Sequence, residues 1–293
     1  MSEPIEMLAR FAPLAPRFDA FILDIWGVVM DGAAPYPGAR ECMSRLREDG
    51  KRVVLLSNAP RREAMVAERL AEIGIGRELY DRIVSSGEAS RQALERRTDP
   101  ALAAFGRNYL YIGHEKDAGL LDGLDYARVD GAGEADFVLN TGIIDDSDTL
   151  ERFRPALEAA RPRDLPMICA NPDLVVVRHG GARVLCAGAI AAEYERMGGT
   201  VHYFGKPHGA IYQACFDVLD GVAKPRMLAV GDNLDTDIAG AAAVGLRTAL
   251  ILGGVLADAL GIASGETAPA ERVSALCAAR GVTPDMAVPA LVW

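Results

Sequence analysis

Two periodicities alternate along this chain. Short, unbroken apolar runs at residues 20–23, 53–56, 227–230 and 248–252 predict strands buried on both faces. Between them, apolar positions return every three or four residues. A helix is expected over 39–48, and a second from about Arg61, where Val66, Leu70 and Ile73 fall on one face. Ile211, Cys215 and Val218 form the stripe of another helix, and a further one is expected at 237–244. Continuous apolar strands alternating with helices predict an α/β fold, a doubly wound parallel sheet covered on both sides. Right-handed crossovers then bring the strand carboxyl ends to one edge, where ligands bind.

The middle of the chain carries its own βα pattern. Strands are expected at 109–112, 137–139 and 166–170, and helices at 89–97, 148–160 and 189–197. This predicts an inserted α/β domain over residues 85–200, with 1–84 and 201–293 forming the domain that receives it. The tail, 266–293, reads as a helix followed by proline-punctuated apolar residues that close the core.

Length and charge narrow the class. The 293 residues suit two domains. Acidic residues outnumber basic ones by 41 to 31, for a formal charge of −10, which disfavours general nucleic-acid binding. No apolar run is long enough to span a bilayer and no basic, apolar leader opens the sequence, so no membrane partner is expected. The five cysteines are scattered, with no CxxC pair, as expected of reduced thiols in a cytoplasmic protein.

Four separated motifs carry candidate chemistry, and each follows a predicted strand. In the run Phe21 to Val29, Asp24 ends a buried strand, where a nucleophile or metal ligand is wanted; an Asp capping a turn is the plainer reading. In the second, Ser57 and Asn58 end a strand and open a helix, forming either an anion site or an ordinary helix cap. In the third, Lys206 sits between Gly205 and Pro207, suited to aiming one positive charge, or else a solvated loop lysine. In the fourth, Asp232, Asp235 and Asp237 crowd one short segment. Such crowding is costly unless a cation or lysine offsets it, and oxygen-only ligands favour a hard ion such as Mg²⁺; a helix start capped by Asp235 or Asp237 is the alternative.

Together these motifs resemble the haloacid dehalogenase superfamily of phosphohydrolases. The closest likeness is to the subclass IIA enzymes of the NagD and pyridoxal-phosphate-phosphatase type, whose α/β cap is inserted between the second and third motifs. The turn Tyr36-Pro-Gly-Ala, the run Ala170-Asn-Pro-Asp and the spacing to Gly205-Lys-Pro all fit it. The resemblance implies a Rossmann-like core with a substrate-specificity cap, a small phosphorylated substrate, and, in this subclass, frequent homodimers. It implies Asp24 as nucleophile, forming an aspartyl-phosphate. Mg²⁺ is implied on the Asp24 carboxylate, the Trp26 backbone carbonyl and Asp232. Ser57 and Asn58 are implied at the phosphoryl group, and Lys206, oriented by Asp237, as its neutralising charge. Asn171 and Asp173 would face the substrate; a turn favoured by Asn-Pro is their plainer reading.

One departure matters. The family's phosphatases usually carry a second Asp two residues after the nucleophile, which protonates the leaving oxygen. Here that position is Trp26. Asp31, Asp173 or His179 are candidate replacements, each with a bland reading as a turn or loop residue. The alternative function is a weakly active or non-catalytic phosphate- or metal-binding protein on the same fold. A dinucleotide-dependent oxidoreductase would need GxGxxG after the first strand, and a serine hydrolase a GxSxG elbow; the sequence has neither. Phosphonate cleavage would call for a cap lysine, and the flanks of Lys116 do not suggest that role.

Overall fold

Valine, leucine and isoleucine on both sides of the backbone dictate strands that must be covered twice. In the computed structural model, which describes residues 4–177, 183–263 and 265–293, they are. The chain divides into two units: Met1–Ser57, Val66–Val84 and Lys206–Trp293 in the first, Asn58–Met65 and Ser85–Gly205 in the second.

The first unit is built on a seven-stranded sheet. Its strands are β1 (Glu6–Met7), β2 (Ala20–Asp24), β3 (Arg52–Ser57) and β4 (Arg82–Ser85), and, after the second unit's strands, β12 (Met227–Gly231), β13 (Arg247–Ile251) and β14 (Met286–Val288). The order is β1-β14-β13-β12-β2-β3-β4. β2 lies parallel between β12 and β3, with Leu23 opposite Val230 and Asp24 opposite Leu56. This register sets the ends of β2, β3 and β12 level on one edge. One face of the sheet packs Ile22, Val54 and Ala229 against Ile211, Tyr212 and Cys215 of the helix Gly209–Val218. Leu250 and Ala287 pack with Val273 and Cys277 of the helix Ala270–Arg280.

The second unit holds β5 (Asn108–Ile112), β6 (Ala127–Val129), β7 (Phe137–Asn140), β8 (Met167–Cys169), β9 (Val175–Val177), β10 (Arg183–Leu185) and β11 (Val201–Tyr203). Five of them form a parallel sheet in the order β11-β8-β7-β5-β6, and β9 and β10 pair antiparallel as a hairpin. Val138, Met167 and Cys169 pack with the helices Leu150–Ala160 and Ala187–Arg196. Phe137, Leu139 and Ile168 pack with Leu94 and Phe105.

Three expectations differ from this arrangement. Residues 201–205 belong to the second unit, because β11 extends its sheet by pairing with β8. Residues 58–65 are grouped there as well. The tail does more than cover the core: after its helix it contributes β14, which pairs with both β1 and β13.

Candidate active site

The first unit brings Asp24, Lys206, Asp232 and Asp237 together at the carboxyl edge of its sheet. Asp24 is the last residue of β2, and Asp232 follows the last residue of β12. Asp237 sits one turn further on, in the π-helical segment Leu234–Ile238. The four side chains are nearly sealed from solvent, at 8, 3, 6 and 5% exposure in numerical order. Lys206 Nζ donates to Asp24 Oδ1 and Asp237 Oδ1, each at 2.6 Å. Carboxylate oxygens of Asp24, Asp232 and Asp237 all lie within 4.8 Å of one another.

Backbone amides hold each carboxylate in place. Ile25 N–H donates to Asp24 Oδ1 at 2.7 Å, Val255 N–H to Asp232 Oδ2 at 2.7 Å, and Asn233 N–H to Asp237 Oδ2 at 3.1 Å. Two glycines permit the close approach. A Cβ on Gly27 or on Gly254 would overlap the Asp232 carboxylate, and Gly27 also has φ +84°, a conformation other residues rarely adopt. The backbone just past Trp26 therefore runs against Asp232.

Three carboxylates against one ammonium leave the cluster with two excess negative charges when all are ionised. Burial first, and then the Asp237 and Asp232 charges, push the Asp24 carboxyl well above the usual carboxylate range, against the pull of Lys206. A divalent cation would restore the balance. The buried, oxygen-only donors suit a hard ion, so these residues fit Mg²⁺.

The remaining candidates are placed as follows. Ser57 ends β3 and is buried. Trp26 is half-buried in the loop after β2, its ring against Gly32, where a Cβ would overlap it. Asn58, Asn171 and Asp173 lie in the second unit. There Asn58 Nδ2 donates to Asp173 Oδ1 at 2.9 Å, and Asp173 N–H donates to Asn171 Oδ1 at 3.0 Å. Asn58 does not cap the following helix, which opens at Glu63 beyond Pro60, whose ring disfavours helix at the preceding residue. Lys206 is not a solvated loop lysine, and Asp235 turns outward to pair with Arg280. Asp31 Oδ1 accepts the Ala33 and Ala34 amides, both at 2.8 Å, as a turn residue does. His179 lies outside the described residues.

Sequence reasoning did not single out Gly27, Gly254 or the Val255 amide. A Gly-Gly pair directly after a predicted strand was the available signal for the last two.

Comparison with known proteins identifies the family. The haloacid dehalogenase-like hydrolase model matches residues 21–127, and a second, HAD-hydrolase-like model matches 203–285. A haloacid dehalogenase-like hydrolase from Brucella suis superposes with TM-score 0.82 at 34% identity, covering 97% of this chain and all of that one. The chain belongs to the haloacid dehalogenase superfamily of hydrolases. Its curated relatives place it in subclass IIA. Among them, the sugar-phosphatase AraL of Bacillus subtilis is 28% identical over 260 residues, covering 85% of this chain and 87% of its own length. A glycerol phosphate phosphatase of Mycobacterium tuberculosis, solved in complex with magnesium, superposes with TM-score 0.65 at 26% identity, over 83% of this chain and 70% of that one. Among the described residues no helix is long and apolar enough to cross a membrane.

Proposed function

We propose that this haloacid dehalogenase-type hydrolase is a Mg²⁺-dependent phosphatase of small phosphate monoesters, sugar or nucleotide phosphates among them, with Asp24 as nucleophile. The observation that carries the reading is the buried Asp24–Lys206–Asp237 chain beside Asp232. A surface ion pair would leave this edge open to water; here one lysine is shared between two carboxylates in a nearly dry site.

Asp24 and Asp232, with the Trp26 backbone carbonyl, are the groups that would hold Mg²⁺, which when bound neutralises phosphoryl oxygens and the cluster's excess charge. A carboxylate oxygen of Asp24 forms a bond to phosphorus as the bond from phosphorus to the leaving oxygen breaks. Lys206 offsets the negative charge where the two anions meet, and Asp237 aims it. Ser57, at the end of the adjacent strand, holds a phosphoryl oxygen. Water then attacks the aspartyl-phosphate, releasing inorganic phosphate and restoring the Asp24 carboxylate. Most of the rate enhancement in such a site comes from positioning and electrostatics.

Trp26 cannot protonate a leaving alkoxide. Sugar and nucleotide phosphates, which leave as alkoxides, are therefore turned over slowly, and aryl and acyl phosphates, whose leaving groups need no proton, are turned over faster. The second reading, a phosphate- or metal-binding protein without turnover, rests on the same residue. Both readings are of a cytoplasmic protein, in keeping with five buried cysteines that form no CxxC pair in the sequence.

The deciding experiment is phosphate release from p-nitrophenyl phosphate and acetyl phosphate, with and without Mg²⁺, beside an Asp24→Asn control. Turnover that needs both Mg²⁺ and Asp24 is the expected result. A folded, Mg²⁺-binding protein without turnover on either compound would instead establish the binder.

A further inference from the structure

Asp237 does not stand on a regular helix. The Asn233 carbonyl accepts both the Asp237 amide at 3.0 Å and the Ile238 amide at 3.2 Å, the second being the wider i→i+5 closure of a π turn. Such turns interrupt a helix at a cost and are frequent at functional sites. Asp237 lies inside this turn and bonds Lys206, so what holds the turn bears on that bond.

The helix Gly209–Val218 supplies a side chain that reaches it. The Tyr212 hydroxyl donates to the Asp237 carbonyl at 3.2 Å, with the Thr236 carbonyl also near at 3.4 Å. Tyr212 is 1% exposed, so the bond lies away from bulk solvent. Gly240 completes the contact. A Cβ there would lie 2.7 Å from Pro207 Cα, 2.8 Å from the Tyr212 hydroxyl and 2.9 Å from the Pro207 carbonyl oxygen. The segment after Asp237 thus packs directly on the residue after Lys206. Tyr212 thus holds the Asp237 end of the 2.6 Å Lys206–Asp237 bond, and Gly240 packs between the Tyr212 hydroxyl and Pro207, the residue after Lys206.

We infer that Tyr212 is a positioning residue that locks the π turn carrying Asp237, and through it the aim of Lys206 at the Asp24 carboxylate. The catalytic part of this inference rests on the phosphatase reading; the structural part does not. Tyr212→Phe removes one hydroxyl and keeps the buried ring. Its expected effect is a fall in kcat of about tenfold, the scale of one buried hydrogen bond, with KM within about twofold of wild type. Ile211→Val, a neighbouring core change in the same helix, is expected to lower stability and leave kcat unchanged.

The experiment has two parts. In the first, steady-state hydrolysis of p-nitrophenyl phosphate is measured for wild type, Tyr212→Phe, Asp237→Asn and the double variant. If Tyr212 acts through Asp237, its removal costs less than about twofold once Asp237 is already Asn. Multiplicative effects, or an unchanged kcat in Tyr212→Phe, overturn the inference. In the second, amide hydrogen exchange is followed at Asp237 and Ile238. Exchange at least about tenfold faster in Tyr212→Phe, with the rest of the sheet unchanged, is expected. Unchanged exchange overturns the lock whether or not wild type turns over any phosphate. Faster exchange in a protein without turnover keeps the lock and refutes only the phosphatase reading.

Discussion

Trp26→Asp tests where the leaving-group proton is missing. The change places a fourth carboxylate beside the cluster of Asp24, Asp232 and Asp237, which one lysine already fails to neutralise. Like charge raises the affinity of the new carboxyl for its proton, which is what a general acid near neutral pH requires. Positioned acid catalysis contributes about 10²- to 10⁴-fold in rate. The gain should appear only where the leaving group needs a proton. Hydrolysis of an alkyl phosphate such as glucose 6-phosphate is expected to rise by about 100-fold, the low end of that range, since the loop around position 26 is shaped for a tryptophan. p-Nitrophenyl phosphate, whose phenolate leaves unaided, should change by less than about threefold. The substitution also removes a half-buried ring that rests on Gly32, a loss of about 2 kcal/mol in buried apolar surface. The assay is kcat/KM for both substrates at saturating Mg²⁺, with circular dichroism and calorimetric Mg²⁺ binding as controls. An unchanged alkyl-phosphate rate in a folded, Mg²⁺-binding variant would refute the reasoning, because the proton would then come from elsewhere.

Two further outcomes follow from the same cluster. Because the folded protein holds the Asp24 carboxyl well above its unfolded value of about 3.9, its contribution to stability is full below that value and is lost as pH rises through the raised one. Metal-free protein in a chelator should therefore lose stability to urea between pH 4 and neutrality by more than Asp24→Asn does, and parallel profiles for the two would remove burial and repulsion as the cause. Gly27→Ala, forced to φ +84° with its methyl against Asp232, is expected to weaken Mg²⁺ binding at least about tenfold by calorimetry and to cost about 1 kcal/mol in stability. Unaltered affinity would mean that the loop after β2 does not set the position of Asp232.

Much of this protein could be read along the chain. The strands β2, β3, β12 and β13 announce themselves as unbroken apolar runs, because a strand covered on both faces has no room for polar residues. Asp24 and Asp232 were legible for a related reason: a polar residue directly after such a run must lie at the carboxyl edge. The strands β6 and β10 were not legible: each is three residues long and carries a charged residue, Arg128 or Arg183, so neither an unbroken apolar run nor a period shows. Nor was β14, whose partners β1 and β13 lie on either side of it in the sheet but apart from it in the chain.

The choice among neighbours belonged to the tertiary structure. Asp235 and Asp237 are two residues apart in one acidic run, yet Asp237 faces inward to Lys206 while Asp235 pairs outside with Arg280. Gly27, Gly254 and Gly240 look like any loop or helix glycine until the atom that would meet their Cβ is known. Tyr212 reads as one more position on an apolar helical face, and only packing across the unit puts its hydroxyl on the carbonyl of Asp237. Local sequence therefore determines which side chains reach the sheet edge, since strand burial is a property of a few consecutive residues. Which of them face one another, and what holds them there, depends on contacts between segments brought together only when the chain has folded.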